Sequence, residues 1–135
     1  MSVETFICFD YGERRIGVAV GQTLTDTATP LDTIEVRNRN PDWHKISELM
    51  ERWQPHALIV GSPLNMDDSR QEIAELADKF ARQLEGRYDL QVHRADERLT
   101  TYEAKTRLKK QEGLDPVAAQ IILESWLHEQ RGHSS

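Results

Sequence analysis

Two short apolar segments joined by a tight turn open the chain and limit what it can fold into. Residues 6–9 are a continuous apolar run that ends in Asp10, and residues 16–20 show the alternation of a second strand. Tyr11 and Gly12 favour a turn between them. Burying the carboxylate of Asp10 unpaired would cost several kcal/mol, so it must be solvated, hydrogen-bonded or bound to a cation.

The size and charge of the chain exclude several classes of protein. With 135 residues and 38% hydrophobic content, we expect residues 1–135 to form a single domain. The net charge of -6 provides no overall basic field, so binding to nucleic acid would require a local patch. No secretory signal or membrane-spanning run is visible. The single cysteine, Cys8, follows the apolar Ile7, and we expect it to be a buried, reduced thiol. We therefore expect a cytoplasmic protein.

The next part of the chain continues the strands and then changes to a helix. A third strand is expected over residues 31–37, which completes an antiparallel meander. Asn40 and Pro41 are interpreted as the cap and first-turn proline of a helix that Pro55 stops. The apolar stripe of this helix includes Trp43 and Trp53, which we expect in the core rather than stacked on nucleobases.

From residue 57 onward the pattern alternates between strands and helices. The continuous apolar run 57–61 is typical of a strand covered on both faces. A helix closed by Gly86, a strand over residues 90–94 and two final helices follow, the last one starting at Asp115. We therefore expect an α/β fold with a five-stranded mixed sheet, three antiparallel strands followed by two parallel ones, and helices on both faces.

Three carboxylates can meet at one edge of this sheet. Asp10 and Glu97 both follow strands whose carboxyl ends form the ligand crevice of such a fold, and the last helix could bring Asp115 to the same place. Converging carboxylates repel one another unless cations neutralise them, and oxygen ligands favour Mg2+ or Mn2+. Such ions can support hydrolysis of a phosphodiester.

Each carboxylate also has a structural interpretation. Asp115 precedes Pro116 and would be a good helix N-cap without any metal. Glu97 follows Asp96 and could be a solvated loop residue, because strand alternation directs only one of the two into a site. Asp10 is the hardest to explain structurally, since it lies at the end of an apolar strand.

Four blocks of the sequence resemble one known family. They are FDYGERRIGVAVGQ, VGSPLNMDDS, DERLTTYEA and DPVAAQIILESWL, which in this order and spacing are similar to the YqgF family, also called RuvX, of RuvC-like nucleases. The resemblance implies a ribonuclease H-like fold and a nuclease that matures the 5′ end of the 16S ribosomal RNA precursor. By motif position it assigns the acidic residues to Asp10, Glu97 and Asp115. An older suggestion for the family, by analogy with RuvC, is Holliday junction resolution on branched DNA.

Substrate contacts are expected near the same edge. Arg14 and Arg15 follow the Asp10 turn and Arg98 follows Glu97, so all three are expected to contact phosphates. Asn65 belongs to the loop after the fourth strand, where it could bind substrate or fix the loop. Precursor ribosomal RNA and ribosomal precursor particles are the expected partners, with no membrane.

Two other function classes stay open at this point. A noncatalytic RNA-binding assembly factor would keep the fold without cleaving RNA. A nucleotide-binding ATPase is suggested by the D-x-G turn, which also opens actin-like and sugar-kinase domains. Those proteins need a second domain to enclose the nucleotide, for which 135 residues leave no room.

Overall fold

The computed structural model describes residues 4–23, 27–61, 69–95 and 115–133, and within these ranges it forms strands, two central helices and a long final helix. In chain order they are β1 Thr5–Asp10, β2 Arg15–Gln22, β3 Ala28–Arg37, β4 Asn40–Pro41, α1 Trp43–Trp53, β5 Ala57–Gly61, α2 Ser69–Tyr88, β6 Gln91–Arg94 and α3 Asp115–His133.

One six-stranded sheet has the strand order β4-β3-β2-β1-β5-β6. Strands β1 to β4 form an antiparallel meander, whereas β5 pairs parallel to β1 and β6 pairs parallel to β5. The predicted mixed sheet is therefore confirmed, including the adjacency of the first strand and the apolar run 57–61. Because β1, β5 and β6 point the same way, their carboxyl ends share one edge of the sheet.

The prediction of five strands is wrong by one. Asn40 and Pro41, interpreted from sequence as a helix start, form the short strand β4, which pairs with Val36 and Arg37 of β3. The cap of α1 is instead Asp42, whose Oδ1 accepts a hydrogen bond from the backbone N–H of Lys45 at 3.3 Å. The pairing with β3 supplies partners for this stretch of backbone, which outweighs the local preference of proline for a first helical turn.

The predicted end of α2 at Gly86 is also wrong. The helix continues through Gly86 to Tyr88, and the left-handed backbone that ends a helix is found at Asp89, with φ 54°. The N–H of Asp89 still donates to the carbonyl of Glu85 at 3.0 Å. Aspartate tolerates the left-handed region, so no glycine is required at that position.

The two faces of the sheet bury separate cores. Ile7 and Phe9 of β1 lie on the face covered by α1 and α2, whereas Phe6 and Cys8 lie on the face covered by α3. Strand β5 is buried along its whole length, as its continuous apolar run predicts. Trp43 and Trp53 pack against the first core, which confirms their predicted position.

Helix α3 runs in the direction opposite to β1. A Cβ atom on Gly61, at the carboxyl end of β5, would lie 3.0 Å from Cδ1 of Ile122. Trp126 instead meets the ring of Phe6, near the amino end of β1, at a centroid distance of 5.2 Å. The helix therefore begins at the carboxyl edge of the parallel strands. Within the described helices, no segment is long and apolar enough to cross a membrane.

Candidate active site at the carboxyl edge of the sheet

Asp10 ends β1 between two glycines of the neighbouring strands. Its register partners are Gly17 of β2 and Gly61 of β5. Strand alternation places it on the same face as Cys8, which is the face covered by α3. Since neither glycine carries a side chain, the half-buried carboxylate of Asp10 is not crowded from the adjacent strand positions. Sequence analysis missed this pair, although a glycine inside a strand often marks close approach of a ligand or another segment.

The turn after Asp10 is as tight as the sequence predicts. The N–H of Tyr11 donates to the carbonyl of Gly61 at 2.8 Å, which fixes the end of β1 against β5. A Cβ atom on Gly12 would lie 2.6 Å from the backbone oxygen of Arg15, so only glycine fits there without a shift of the turn. The chain therefore reverses at once and returns Arg15 to the side of Asp10.

Two titratable groups next to Asp10 are held neutral by burial. The Cys8 thiol is fully buried, and burial followed by the charge of Asp10 raises its pKa well above the ordinary value. Burial also raises the pKa of the Tyr11 phenol, against the lowering effect of Arg39 and together with the raising effect of Glu13. Cys8 is therefore a poor nucleophile, as its sequence context predicts.

The basic residues predicted after the turn lie on this edge. Arg14 and Arg15 are both exposed, and Arg15 begins β2. Arg15 is on the same face as Asp10, because it lies two residues from Gly17, the register partner of Asp10. The backbone oxygen of Arg14 accepts from the N–H of Val36 at 2.9 Å, which joins the turn to the end of β3.

Arg94, at the end of β6, has a structural function instead. Its Nε donates to Oδ1 of Asp78 at 2.8 Å, and its Nη1 donates to the backbone oxygen of Val60 at 2.8 Å. The guanidinium therefore ties β6 to both α2 and β5. We therefore expect other basic residues to make the phosphate contacts at this edge.

The remaining predicted residues are described only in part. Asp115 begins α3, and its side chain lies outside the described residues, as do Glu97, Arg98 and Asn65. The described chain stops at Ala95, whose N–H donates to the backbone oxygen of Val60 at 2.9 Å. Among the side chains that are described, no group of three His, Cys, Asp or Glu could hold a metal ion.

Comparison with known proteins identifies similar sequences and a similar fold. The family model described as "RuvX: Holliday junction resolvase" matches residues 4–129. A protein of Nitrosococcus oceani named "Putative pre-16S rRNA nuclease" is 48% identical, over 91% of this chain and 86% of its own. A relative of the same name from Aeromonas hydrophila subsp. hydrophila is 47% identical, over 98% of this chain and 100% of its own.

One solved structure supports the predicted ribonuclease H-like fold. RuvC of T. thermophilus, in complex with a Holliday junction substrate, matches 96% of this chain and 96% of its own with a TM-score of 0.60. The two sequences are 12% identical, so this likeness shows the fold alone.

Proposed function

Because the chain belongs to the RuvX family, we propose that it is a metal-dependent nuclease that hydrolyses phosphodiester bonds at the 5′ end of the 16S ribosomal RNA precursor. The substrate follows from the names of relatives that are 47% and 48% identical. The observation that carries the proposal is the position of Asp10, a carboxylate at the carboxyl edge of the sheet between Gly17 and Gly61.

The start of α3 supports Asp115 as a second member of the site. Ile122 contacts the position of Gly61, the neighbour of Asp10, and Asp115 precedes Ile122 by about two helical turns. Residues two turns apart share a helix face. This spacing supports the proposal that Asp115 is on the side of α3 that approaches the carboxyl edge, where its carboxylate would join Asp10.

The end of β6 supports Glu97 as the third member. Ala95 packs against the core beneath α3. A Cβ atom added to Gly61 would lie 3.8 Å from the Cβ atom of Ala95. Residues two apart in an extended chain share a face, so continuation of the strand pattern would place Glu97 on the face of Asp10. Both proposed partners are thus close in sequence to a residue that contacts Gly61, the immediate neighbour of Asp10: Glu97 follows Ala95, and Asp115 precedes Ile122.

The donor set fits a hard divalent cation. Asp10, Glu97 and Asp115 supply carboxylate oxygens, which suit Mg2+ or Mn2+ and would repel one another without a cation. When bound, the ion supplies Lewis-acid polarisation of a phosphoryl oxygen and lowers the pKa of water. We propose this carboxylate set as the metal ligands of the enzyme.

The other proposed residues bind and orient the substrate. Arg14 and Arg15 are exposed beside Asp10, where planar guanidinium groups can donate paired hydrogen bonds to a phosphate. Arg98 and Asn65 are proposed to contact the strand from the other side of the site. Together these groups would hold the scissile phosphate at the carboxylates in a local basic patch, although the chain as a whole is acidic.

The setting proposed for this activity is the cytoplasm, with ribosomal precursor particles as the physiological substrate. We propose that residues 1–135 act as one domain, consistent with the single family model that matches residues 4–129.

The first prediction is metal-dependent cleavage that requires Asp10. Wild-type protein is incubated with an RNA that spans the 5′ precursor junction of 16S ribosomal RNA, in Mg2+, Mn2+ or EDTA, and products are separated on a denaturing gel. We expect cleavage with either metal, none in EDTA, and a loss of at least about 100-fold for Asp10→Asn, the order expected when one strongly interacting group is removed. Asp89→Asn is the matched control. Asp89 is exposed directly after the carboxyl end of α2, away from the candidate site, and asparagine tolerates its left-handed backbone.

The same assay separates the alternatives. RNA binding without any product would favour the noncatalytic assembly factor, and equal cleavage by wild type and Asp10→Asn would reject the proposed site. Holliday junction resolution remains a second candidate because the matching family model carries that description. Metal-dependent cleavage of a four-way DNA junction, but not of the RNA, would favour it.

A further inference from the structure

A second hairpin turn lies on the same edge as Asp10. Strands β3 and β4 are joined by Asn38 and Arg39, and the ends of the two strands pair through Arg37 and Asn40. The N–H of Val36 donates to the backbone oxygen of Arg14 at 2.9 Å, so this turn is fixed beside the turn that follows Asp10. The two turns therefore form one continuous border of the sheet.

The register of the strands aligns arginine side chains with Asp10 on one face. Arg15 lies on the face of Asp10, and its register partner on β3 is Glu35. Arg37, two residues further along β3, lies on the same face. Neighbouring strands are about 4.8 Å apart, so a row from β1 to β3 covers about 10 Å. Measured along the axis of a nucleic acid duplex, on which each strand carries one phosphate about every 3.4 Å, this length corresponds to about three phosphates.

Arg39 has a left-handed backbone conformation that favours glycine over arginine. Asn38 and Arg39 have φ values of 52° and 64°, so both central residues of this two-residue turn are left-handed. In turns of this kind the second position strongly prefers glycine. An arginine at this position is conformationally unfavourable, and strain of this sort is commonly retained where a side chain is functional.

Exposure limits what the ion pairs of these arginines contribute to folding stability. Arg37 pairs with Glu35 at 3.2 Å, but the two side chains are 84% and 68% exposed, and ion pairs this exposed contribute little to stability. Arg14, Arg15 and Arg39 are exposed as well. All the cations of the row are arginine, the residue whose fork of donors best matches a phosphate group.

We propose that Arg14, Arg15, Arg37 and Arg39 form an arginine ridge that binds the sugar-phosphate backbone of RNA on the β3 side of Asp10. The ridge extends the substrate path two strands away from the carboxylates, onto a turn that the nuclease motifs do not include. The identity of the bound molecule rests on the proposed function, whereas the surface rests on the register and the turn geometry. Glu35 holds Arg37 in place and partly offsets the positive charge of the ridge.

Arg39→Gly separates a structural contribution from a binding contribution. Glycine suits the left-handed turn, so the thermal midpoint should stay the same or rise, while a phosphate contact is lost. We expect the Kd for the fluorescein-labelled precursor-junction RNA, measured by anisotropy in Ca2+ at 100 mM KCl, to increase about 5- to 10-fold. The slope of log K against log salt should become shallower by about 0.7 to 0.9, the value for one phosphate contact.

Two further variants complete the test. Arg82→Ala removes an exposed cation from α2, on the opposite face, and should leave both the Kd and the slope unchanged. Glu35→Gln removes the anion from the ridge and should tighten binding about 2- to 5-fold, because repulsion of the phosphates is relieved. Arg39→Asn, which also tolerates the left-handed backbone, should reproduce the effect of Arg39→Gly.

The proposal is overturned if Arg39→Gly and Arg39→Asn bind RNA like wild type, if Arg82→Ala weakens binding equally, or if wild type shows no salt-dependent RNA binding. Loss of binding together with a lowered thermal midpoint in both Arg39 variants would show that the turn, and not the charge, is responsible, and would also reject it. Cleavage by wild type with unchanged binding by Arg39→Gly would reject the ridge and leave the nuclease proposal intact. RNA binding that depends on the ridge, without any cleavage, would support the ridge and reject the nuclease proposal.

Discussion

The ionisation of Cys8 is opposed by its own surroundings and by Asp10. Cys8 and Asp10 lie two residues apart on the same face of β1, and the thiol is fully buried. Burial and then the charge of Asp10 raise its pKa above the ordinary value of 9.0. A neutral thiol keeps a second negative charge away from the candidate metal ligand.

The pKa of Cys8 predicts how stability depends on pH. Because the pKa of Cys8 is raised in the folded state, the unfolded chain releases the thiol proton at a lower pH than the folded chain does. The contribution of Cys8 to the free energy of unfolding is therefore fully present below the unfolded pKa of about 9, and it is lost as the pH rises above that value. Urea unfolding midpoints between pH 7 and pH 10 should therefore fall more steeply for wild type than for Cys8→Ala. Any contribution from the raised pKa of Tyr11 is common to both proteins. Parallel curves would contradict the assignment.

At the scale of elements, the contact between β5 and α3 determines how closely the last helix approaches Asp10. A Cβ on Gly61 would lie 3.0 Å from Cδ1 and 3.3 Å from Cγ2 of Ile122. Glycine at this position thus permits the close approach of a helix whose first residue is the proposed ligand Asp115. Ala28 of β3 provides a second connection, because its N–H donates to the carboxylate of Glu124 at 3.1 Å.

Gly61→Ala should therefore destabilise the protein and reduce cleavage. Overpacking of this kind costs about 1 to 3 kcal/mol, and a displaced α3 would also move the start of the helix. Ile122→Val removes the Cδ1 atom, so the double variant should lose less stability than the sum of the single variants. Urea unfolding and the RNA cleavage assay measure both effects.

The matched control is Gly86→Ala. No atom lies within 4 Å of a Cβ at Gly86, which is exposed inside α2, so this variant should gain about 0.5 to 1 kcal/mol. If the two glycine variants change stability alike, the close contact between β5 and α3 is not responsible.

Sequence patterns predicted the elements that depend on burial and missed those that depend on pairing. The apolar run of β5 identifies a strand covered on both faces, because every residue in it is buried. Strand β4 is too short to show a period, and its pairing with β3 is decided by the turn at Asn38 and Arg39. The end of α2 was misplaced because aspartate at 89 adopts the conformation that glycine usually supplies.

The sequence likewise predicted some residues of the candidate site and missed others. Asp10 could be predicted because a charge at the end of an apolar strand requires an explanation within its own segment. Gly61 could not, since the pairing of β1 with β5 that places it beside Asp10 joins segments far apart in the chain. Gly17 lies in the next strand of the same hairpin, but its position opposite Asp10 depends on a register that the sequence pattern does not show. The arginine ridge was partly missed for the same reason, because Arg37 reaches the face of Asp10 only through the pairing of β2 with β3.

The whole molecule combines an acidic net charge with functional groups concentrated on one edge. The net charge is -6, yet the turns beside Asp10 present exposed arginines, so binding of a polyanion depends on a local patch. Ile122 of α3 and Ala95, which follows β6, both lie close to the position of Gly61 at this edge. Asp10 and the exposed arginines of these turns therefore share one edge of the sheet, which is the arrangement that the proposed hydrolysis of a phosphodiester requires.

A crystal structure of the protein soaked in Mn2+, with anomalous scattering used to locate the ion, tests this arrangement most directly. We predict a manganese peak in contact with carboxylate oxygens of Asp10, Glu97 and Asp115, at about 2.1 Å. The peak should be absent from crystals of Asp10→Asn grown and soaked in the same way. A wild-type structure at saturating Mn2+ with no peak at Asp10, or with Glu97 and Asp115 directed away from it, would contradict the account.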